Sequence, residues 1–436
     1  MRTLEVWIDF GIDEHGRPVA ARQVGTLVED SPRVAFEYAT SFLDNPLPLS
    51  PLHLRPRRGL FRHDDRDFDG LPGIFADALP DGFGRLIQDR NFERRGMHRQ
   101  RVTPLDRLAL LGSAAIGALS FVPSLQHDDA PDIVWPLELD RIAQQGERLL
   151  EGSAEEVMDE LRLAGGSPAG ARPKILAAVH PDGRIAAYPS TNSGEVGAPP
   201  LPVGFVHYLV KFAARDDVVA YGNDAGAVEH AYATMATAAG IDMPPTRLCR
   251  DHSGVQWFGA ERFDRHGLLG RGRRHLLTVG GLLHASHRIP SLDYEQVLRA
   301  TMQLTRDLRA VAQMYRRMVF NVFSHNRDDH ARNFAFLMNA AGEWHVSPAY
   351  DLTFSAGPGG HHTTSVAGES LAPTRAALKR VARSAGLEPK RAHQIIDHVD
   401  EAVSSWPQIA QSFDIAPAIV QRVDRSLRDC RTTAIT

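Results

Sequence analysis

The chain of 436 residues is poor in cysteine and lysine, and it holds no long apolar run. Two cysteines, Cys249 and Cys430, stand far apart in sequence and make neither a disulfide framework nor a zinc-ligand pattern. A reducing cytoplasm fits that usage. No stretch approaches the ~20 apolar residues that would cross a bilayer, so no membrane partner is expected. Residues Met1–Phe10 alternate like a strand and lack the apolar core of a signal peptide. A net charge of −4 supplies no global basic field for nucleic acid. Internal repeats and long low-complexity tracts are also missing. What remains, 43% apolar and 23% charged residues, is enough for two or three globular domains.

The shortage of lysine is the sharpest of these. Of 49 basic residues only Lys174, Lys211, Lys379 and Lys390 are lysines; the other 45 are arginines. A lysine kept in such a chain marks a position where a compact ammonium serves better than a planar fork. Two of the four fall near each other in the pattern. Lys174 closes the run Gly165-Gly166-Ser167-Pro168-Ala169-Gly170-Ala171-Arg172-Pro173 and opens the strand Ile175–Val179. Glycines there let backbone N–H groups approach a phosphate closely, although a plain surface loop has the same composition. Lys211 sits in the apolar strand Val206–Phe212, where a lysine either points outward on an edge or is paired inside. Glu229, on the helix Ala225–Ala239, reads as its acid partner or as an exposed helix residue.

Short strands at Leu4–Phe10, Ala20–Val28 and Arg33–Tyr38 lead to a helical region from Gly73 through Arg90 and another at Leu105–Leu111. Residues 126–134 read as a linker, and Leu137–Leu163 has helical periodicity. From Lys174 to Asp264 the pattern is mostly strand with one helix; from Leu292 onward it is mostly helix. Expected domains are 1–125, a linker and helix at 126–164, a strand-rich lobe at 165–265 and a helical lobe at 266–436. The expected fold class is α+β: a protein-kinase-like, two-lobed fold with an added N-terminal subdomain.

The chemistry concentrates in Asn326-Arg327-Asp328-Asp329-His330-Ala331-Arg332-Asn333. Arg-Asp-x-x-x-x-Asn is the spacing of a kinase catalytic loop, where the Asp accepts the proton of the attacking hydroxyl and the Asn holds Mg²⁺. Asp351 follows a strand, a turn at Asn339–Gly342 and a short strand, and is placed to be a second metal ligand. A solvated Asp/Arg/His-rich loop is the alternative for the same residues.

Several segments together resemble the HipA family of bacterial toxin serine/threonine kinases. Leu71–Gly84 resembles its N-terminal signature, 165–174 its phosphate loop and Glu261-Arg262-Phe263-Asp264-Arg265 its hinge. Asp328-x-His330-x-x-Asn333-Phe334 and Tyr350-Asp351 resemble its catalytic and metal segments. The resemblance implies a kinase-like fold and an ATP- and Mg²⁺-dependent reaction. Asp328 becomes the catalytic base, Asn333 and Asp351 the metal ligands, and Lys211 the phosphate-binding lysine. Gly166, Ser167, Gly170, Lys174, Glu261, Phe263 and His330 become nucleotide-binding positions. Ser167 matches a serine whose autophosphorylation expels the loop and inactivates the kinase. The implied partners are a separate helix-turn-helix antitoxin (HipB-like), DNA through it, and a protein substrate such as an aminoacyl-tRNA synthetase. Ala169 and Arg332 depart from the usual Gly and Lys of the pattern.

Three other functions fit parts of the chain. A small-molecule kinase would use the same residues. A non-catalytic co-repressor would set the basic stretch Arg375, Lys379, Arg380 and Arg383 on DNA phosphates. A metal-dependent hydrolase would use His325, Asp328, Asp329 and His330.

Overall fold

The computed structural model describes residues 2–30, 33–125, 135–153, 161, 170, 172–187, 196, 200–251 and 254–433. The linker expected at 126–134, and Gly165, Gly166, Ser167, Pro168, Ala169 and Ala171 of the glycine-rich loop, lie outside these residues. The chain forms two compact units. One comprises Met1–Asp216, Cys249–Leu277 and Leu337–Glu343; the other comprises Asp217–Leu248, Thr278–Phe336 and Trp344–Thr436.

The first unit is strand-rich. Its opening sheet is antiparallel, in the spatial order Phe61–His63, Arg33–Tyr38, Arg22–Asp30, Thr3–Ile8, Leu119–Val122. In Thr3–Ile8 the apolar Leu4, Val6 and Ile8 are buried while Thr3 and Glu5 face solvent, as the two-residue period of a strand requires. A second sheet runs through Gln256–Glu261, Val206–Lys211, Lys174–Val179, Ile185–Ala187 and Trp135–Pro136. Helices Gly82–Arg94 and Leu139–Leu150 cover it. Phe83, Ile87, Ile142 and Leu149 from the helices meet Ile175, Val179, Val210 and Phe212 from the strands in one core.

The helical region expected from Gly73 through Arg90 is in fact two helices, Gly73–Ala76 and Gly82–Arg94. Pro80 separates them: it has no amide hydrogen to donate and disfavours helical geometry in the residue before it. Between Val206 and Asp264 a second helix, Arg215–Tyr221, precedes Ala225–Ala238, where the sequence pattern gave one.

The second unit is mostly helical. Helices Tyr294–Thr305 and Leu308–Phe323 pack together, and Pro389–Ser404 packs on the latter. Trp406–Ser412 contacts both Ala225–Ala238 and Pro417–Thr433. Asp293 and Asp307 cap the starts of the first pair, accepting backbone N–H bonds of 2.9 and 2.8 Å from Glu295 and Arg309. Buried Tyr232 and Trp406 have ring centroids 5.3 Å apart, and the Trp406 indole donates to the Val420 carbonyl at 3.1 Å. The helix Leu308–Phe323 delivers the chain directly into the Asn326–Asn333 segment.

Candidate active site

The loop begins with strain. After the C-cap Ser324, His325 has φ +55°, a conformation that costs about 1–2 kcal/mol in a residue other than glycine. The neighbouring segment compensates. The His325 ring stacks on Phe354 with centroids 4.7 Å apart, its Nδ1 bonds the Ser355 carbonyl at 3.2 Å, and Ser355 N donates to His325 O at 3.0 Å.

Asp328 and Asp329 are adjacent and have opposite environments. The Asp329 side chain is 0% exposed. Its Oδ1 accepts the backbone N–H groups of Thr363 at 2.8 Å and Thr364 at 3.2 Å. Its Oδ2 accepts Tyr294 OH at 2.7 Å and His362 Nδ1 at 2.9 Å. Tyr294 in turn accepts from Asn321 Nδ2 at 2.9 Å, and Asn321 Oδ1 accepts from Asn326 Nδ2 at 3.0 Å. Burial first, and then the Asp329 carboxylate, push the Tyr294 phenol well above its ordinary pKa, so it remains a neutral donor. Asp328, held one residue before this anchor, has a side chain 57% exposed. Its carboxylate lies 3.9 Å from His330 Nε2.

Asn333 and Asp351, the positions expected to hold a metal, share the same framework. Asn333 Nδ2 donates to the Asp328 carbonyl at 2.6 Å, which leaves the amide oxygen as the atom suited to a hard cation. Tyr350 OH donates to the Arg332 carbonyl at 2.5 Å. The residue before Asp351 is thereby bonded to the residue before Asn333. Asp351 itself has φ +57°, a left-handed conformation that Asp tolerates better than most residues. Arg317, fully buried, donates to the Ser347 carbonyl, and Ala349 N donates to Asp242 O at 2.7 Å; both brace the segment ahead of Asp351.

In the strand-rich unit Lys174 and Lys211 face each other directly across neighbouring antiparallel strands. They are 6% and 9% exposed. The register brings two positive charges together in this unit. Lys211 Nζ also lies 5.6 Å from the centroid of Phe258. Gly170 has φ +110°, and a Cβ there would collide with Lys174 Nζ; only glycine lets the loop end pass so close to the ammonium. Gly170 N donates to Asp81 Oδ1, and Phe83 N donates to Gly170 O at 3.1 Å. The N-terminal signature segment and the glycine-rich loop therefore meet at Gly170. Asp81 occupies the N-cap of Gly82–Arg94 but makes no cap bond to its own helix.

Glu261 and Phe263 follow from the strand Gln256–Glu261. Burial raises the Glu261 pKa. The adjoining charges are structural. Asp264 is buried and accepts Gly117 N at 2.8 Å, Arg262 Nη2 at 2.7 Å and Arg265 Nη1 at 2.7 Å. Burial pushes its pKa up, but the two guanidiniums and these bonds outweigh it and hold Asp264 well below the usual carboxylate range. Arg265 and Arg273 donate to the Gly117 carbonyl at 3.0 and 3.1 Å.

The structure thus gathers Asp328, His330, Asn333 and, through Tyr350, Asp351 within the helical unit. Gly170, Lys174 and Lys211 gather within the strand-rich unit. Gly166 and Ser167 lie outside the described residues. Glu229 is 7% exposed, which removes its reading as an exposed helix residue. The hydrolase reading also fails: Asp329 has both oxygens engaged, His325 is bonded to Ser355, and among the described residues no three His, Cys, Asp or Glu groups could hold a metal. Two of the basic residues offered for DNA are engaged by their own chain. Arg375 pairs with Asp397 and Asp400, and Arg380 donates to the Ala367 carbonyl. Asp329 and Asp81 were not singled out as kinase-site residues from sequence; a buried acid beside the exposed catalytic one was the available signal for the first.

A strand-rich unit and a helical unit bearing this loop define a mixed α/β, kinase-like class of protein. Residues 166–406 match the HipA-like C-terminal domain, and residues 19–122 match the HipA N-terminal domain. The chain belongs to the HipA family. It shares the fold of HipA in the Shewanella oneidensis MR-1 toxin–antitoxin complex of HipA, HipB and operator DNA, with a TM-score of 0.68 at 17% identity over 98% of this chain and 96% of that one. The Helicobacter pylori proinflammatory kinase CtkA overlaps at a TM-score of 0.35 and 13% identity, over 54% of this chain and 92% of that one, too little to argue from. No helix among the described residues is long and apolar enough to cross a membrane.

Proposed function

We propose that the chain is an ATP- and Mg²⁺-dependent serine/threonine protein kinase, the toxin of a type II toxin–antitoxin pair. Its family supports this, and one observation carries it: Asp328 is exposed on a loop that its neighbour Asp329 anchors with four hydrogen bonds. In this reading a substrate hydroxyl attacks the γ-phosphorus, its proton passes to the Asp328 carboxylate, and ADP departs. Asn333 Oδ1 and the Asp351 carboxylate fit the hard-oxygen preference of Mg²⁺, which when bound neutralises phosphate charge. Lys174 and Lys211 hold phosphates with Gly166 and Gly170, and Glu261, Phe263 and His330 complete the nucleotide contacts. Autophosphorylation of Ser167 would add a charge of about −1.5 to −2 beside the nucleotide's own phosphates and switch the enzyme off.

A separate HipB-like antitoxin is the proposed partner, since the Shewanella HipA was solved with HipB and operator DNA. DNA would be reached only through that antitoxin. The cytoplasmic target would be a translation protein such as an aminoacyl-tRNA synthetase, with growth arrest and persistence as the outcome. A co-repressor reading loses ground because Arg375 and Arg380 are engaged within the chain.

The test is labelled ATP with a cell lysate, comparing the chain with Asp328→Ala and Asp351→Ala. Asp328→Ala should bind ATP·Mg²⁺ without transferring phosphate, and Asp351→Ala should lose both. Full transfer by Asp328→Ala would overturn the assignment. Mass spectrometry of the active protein decides Ser167 separately: phosphate on another protein and none on Ser167 removes the self-inactivation alone.

A further inference from the structure

A cavity of about 270 Å³ lies in the helical unit. Val322, His325 and Arg327 contribute to it from the approach to the catalytic loop, His362 from the segment that anchors Asp329, and Ser426, Asp429 and Cys430 from the last helix. Small-molecule pockets usually run from about 300 to 1,000 Å³, so this one is too small for a nucleotide and suited to a ligand of about ten heavy atoms.

Its chemistry is mixed in a specific way. Arg327 Nη1 is committed to the Gly360 carbonyl at 2.5 Å, but Nη2 reaches the Leu371 carbonyl only at 3.4 Å. That bond is long, and the guanidinium's other bond here is to the Cys430 side chain, a weak sulfur acceptor, so a carboxylate can compete for the donor. Asp429, exposed on the last helix, supplies a negative charge. The Cys430 thiol senses both: burial raises its pKa, Arg327 opposes that, and Asp429 adds to it. It stays a protonated thiol, which argues against a reactive cysteine. Burial and the nearby Arg327 charge also lower the His325 pKa, leaving a neutral imidazole. His325, His362, Asp429 and Cys430 are not close enough to form a metal-holding group among the described residues. Val322, Leu371 and Pro373 give the cavity an apolar side.

One cation, one anion and an apolar wall in an amino-acid-sized space fit one class of ligand. We propose that this cavity binds a small zwitterion the size of a free amino acid, with its carboxylate on Arg327 and its ammonium toward Asp429. The site is coupled to the catalytic loop. Arg327 immediately precedes Asp328, its amide donates to Ser355 O at 3.2 Å, and its carbonyl accepts from Thr363 N at 3.1 Å. A ligand on the guanidinium therefore tightens the backbone that carries Asp328; that regulatory consequence rests on the kinase reading, whereas the binding does not.

Calorimetry on the full chain with L-alanine, L-valine, L-leucine and L-glutamine, against isobutyrate and isobutylamine, tests it. At least one amino acid should bind saturably and tenfold or more tightly than either single-charge analogue. Asp429→Asn should erase that preference, and Ser426→Phe should fill the space and abolish binding. Hydrogen exchange at the Arg327 and Thr363 amides should slow when the amino acid binds, a readout that needs no phosphotransfer. No saturable binding to the wild type, or binding unchanged in Asp429→Asn, overturns the site. Unaltered exchange despite binding overturns the coupling. Should Ser426→Phe not fold, Asp429→Asn decides alone.

Discussion

The two units place their charged groups by different means. In the helical unit the exposed Asp328 carboxylate is positioned by hydrogen bonds that saturate its neighbour: backbone N–H groups, a phenol and an imidazole ring all converge on Asp329. In the strand-rich unit the two lysines are positioned by strand register, with Lys174 directly opposite Lys211. The first arrangement is over-determined, so stability and function depend on the same groups. In the second, strand register alone sets which two side chains face each other, so substituting one should touch function more than stability. A buried anchor should therefore be costly to remove in both respects, and a paired lysine chiefly in function.

The largest expected effect is at Asp329. Asp329→Ala leaves two backbone N–H groups, the Tyr294 hydroxyl and the His362 ring without their acceptor in a dry interior. Losing a partner of that kind costs about 3–5 kcal/mol, and a loop displaced by about 1 Å loses about a hundredfold in rate. Denaturant unfolding and phosphotransfer should both show the defect. Asp329→Asn keeps the shape but turns a donor toward other donors, so it should fold better than the alanine variant and remain slow. Wild-type stability in either variant would mean that the anchor is not what holds the loop.

Lys211 separates the two quantities. Lys211→Met removes a buried ammonium but keeps the apolar stem, so the nucleotide-free protein should lose much less stability than Asp329→Ala does. ATP affinity should fall by a charge-assisted contact, about 1.5–3 kcal/mol or roughly 10- to 150-fold. Lys211→Arg should recover it only in part, because a planar fork does not replace a point charge. A parallel loss of stability and affinity would erase the contrast between the units.

Acid should weaken the strand-rich unit first through the buried His275 and the half-buried His207. Burial lowers His275 to about 4; burial, aided by Arg262 and Arg265, lowers His207 to about 3. Both folded values lie below the ordinary 6.5, so the unfolded chain takes up protons first as the pH falls. Their contribution is complete above pH 6.5 and declines below it. At pH 5 each residue should have lost about 2 kcal/mol, a slope that His275→Phe should reduce in unfolding measured between pH 7 and 5. An unchanged slope would exclude His275 as a source.

Period and spacing made much of this legible. Leu4, Val6 and Ile8 alternate, and the element they form is a strand. The interval from Asp328 to Asn333, and the hairpin of Ala335–Met338 and Trp344–Val346 before Asp351, could be read directly. What escaped were contacts without local pattern. Asp329 meets His362 33 residues away, and Asp81 meets Gly170 89 residues away. Asp264 and Arg265 read only as part of a hinge segment, because nothing nearby in sequence shows that Gly117 donates to the one and accepts from the other. The break at Pro80 was written in the residues, but the segment from Gly73 through Arg90 reads as one helical region.

The smallest expected effect is at Asp81, which accepts from Gly170 beside Lys174. Asp81 stands where a helix cap would, yet its carboxylate accepts from Gly170 and caps nothing. Asp81→Ala should therefore leave the helix Gly82–Arg94 intact and cost at least the hydrogen bond from Gly170 to its carboxylate, about 1.5–3 kcal/mol. What it loosens is the end of the loop, beside the Lys174 ammonium that passes against Gly170. The KM for ATP should rise several-fold while kcat stays near wild type, because the loop positions phosphates and the Asp328 loop is anchored independently. Asp81→Asn keeps an oxygen acceptor and should restore most of the affinity. Equal KM values for the alanine and asparagine variants would show that charge beside Lys174, and not the bond to Gly170, is what Asp81 supplies.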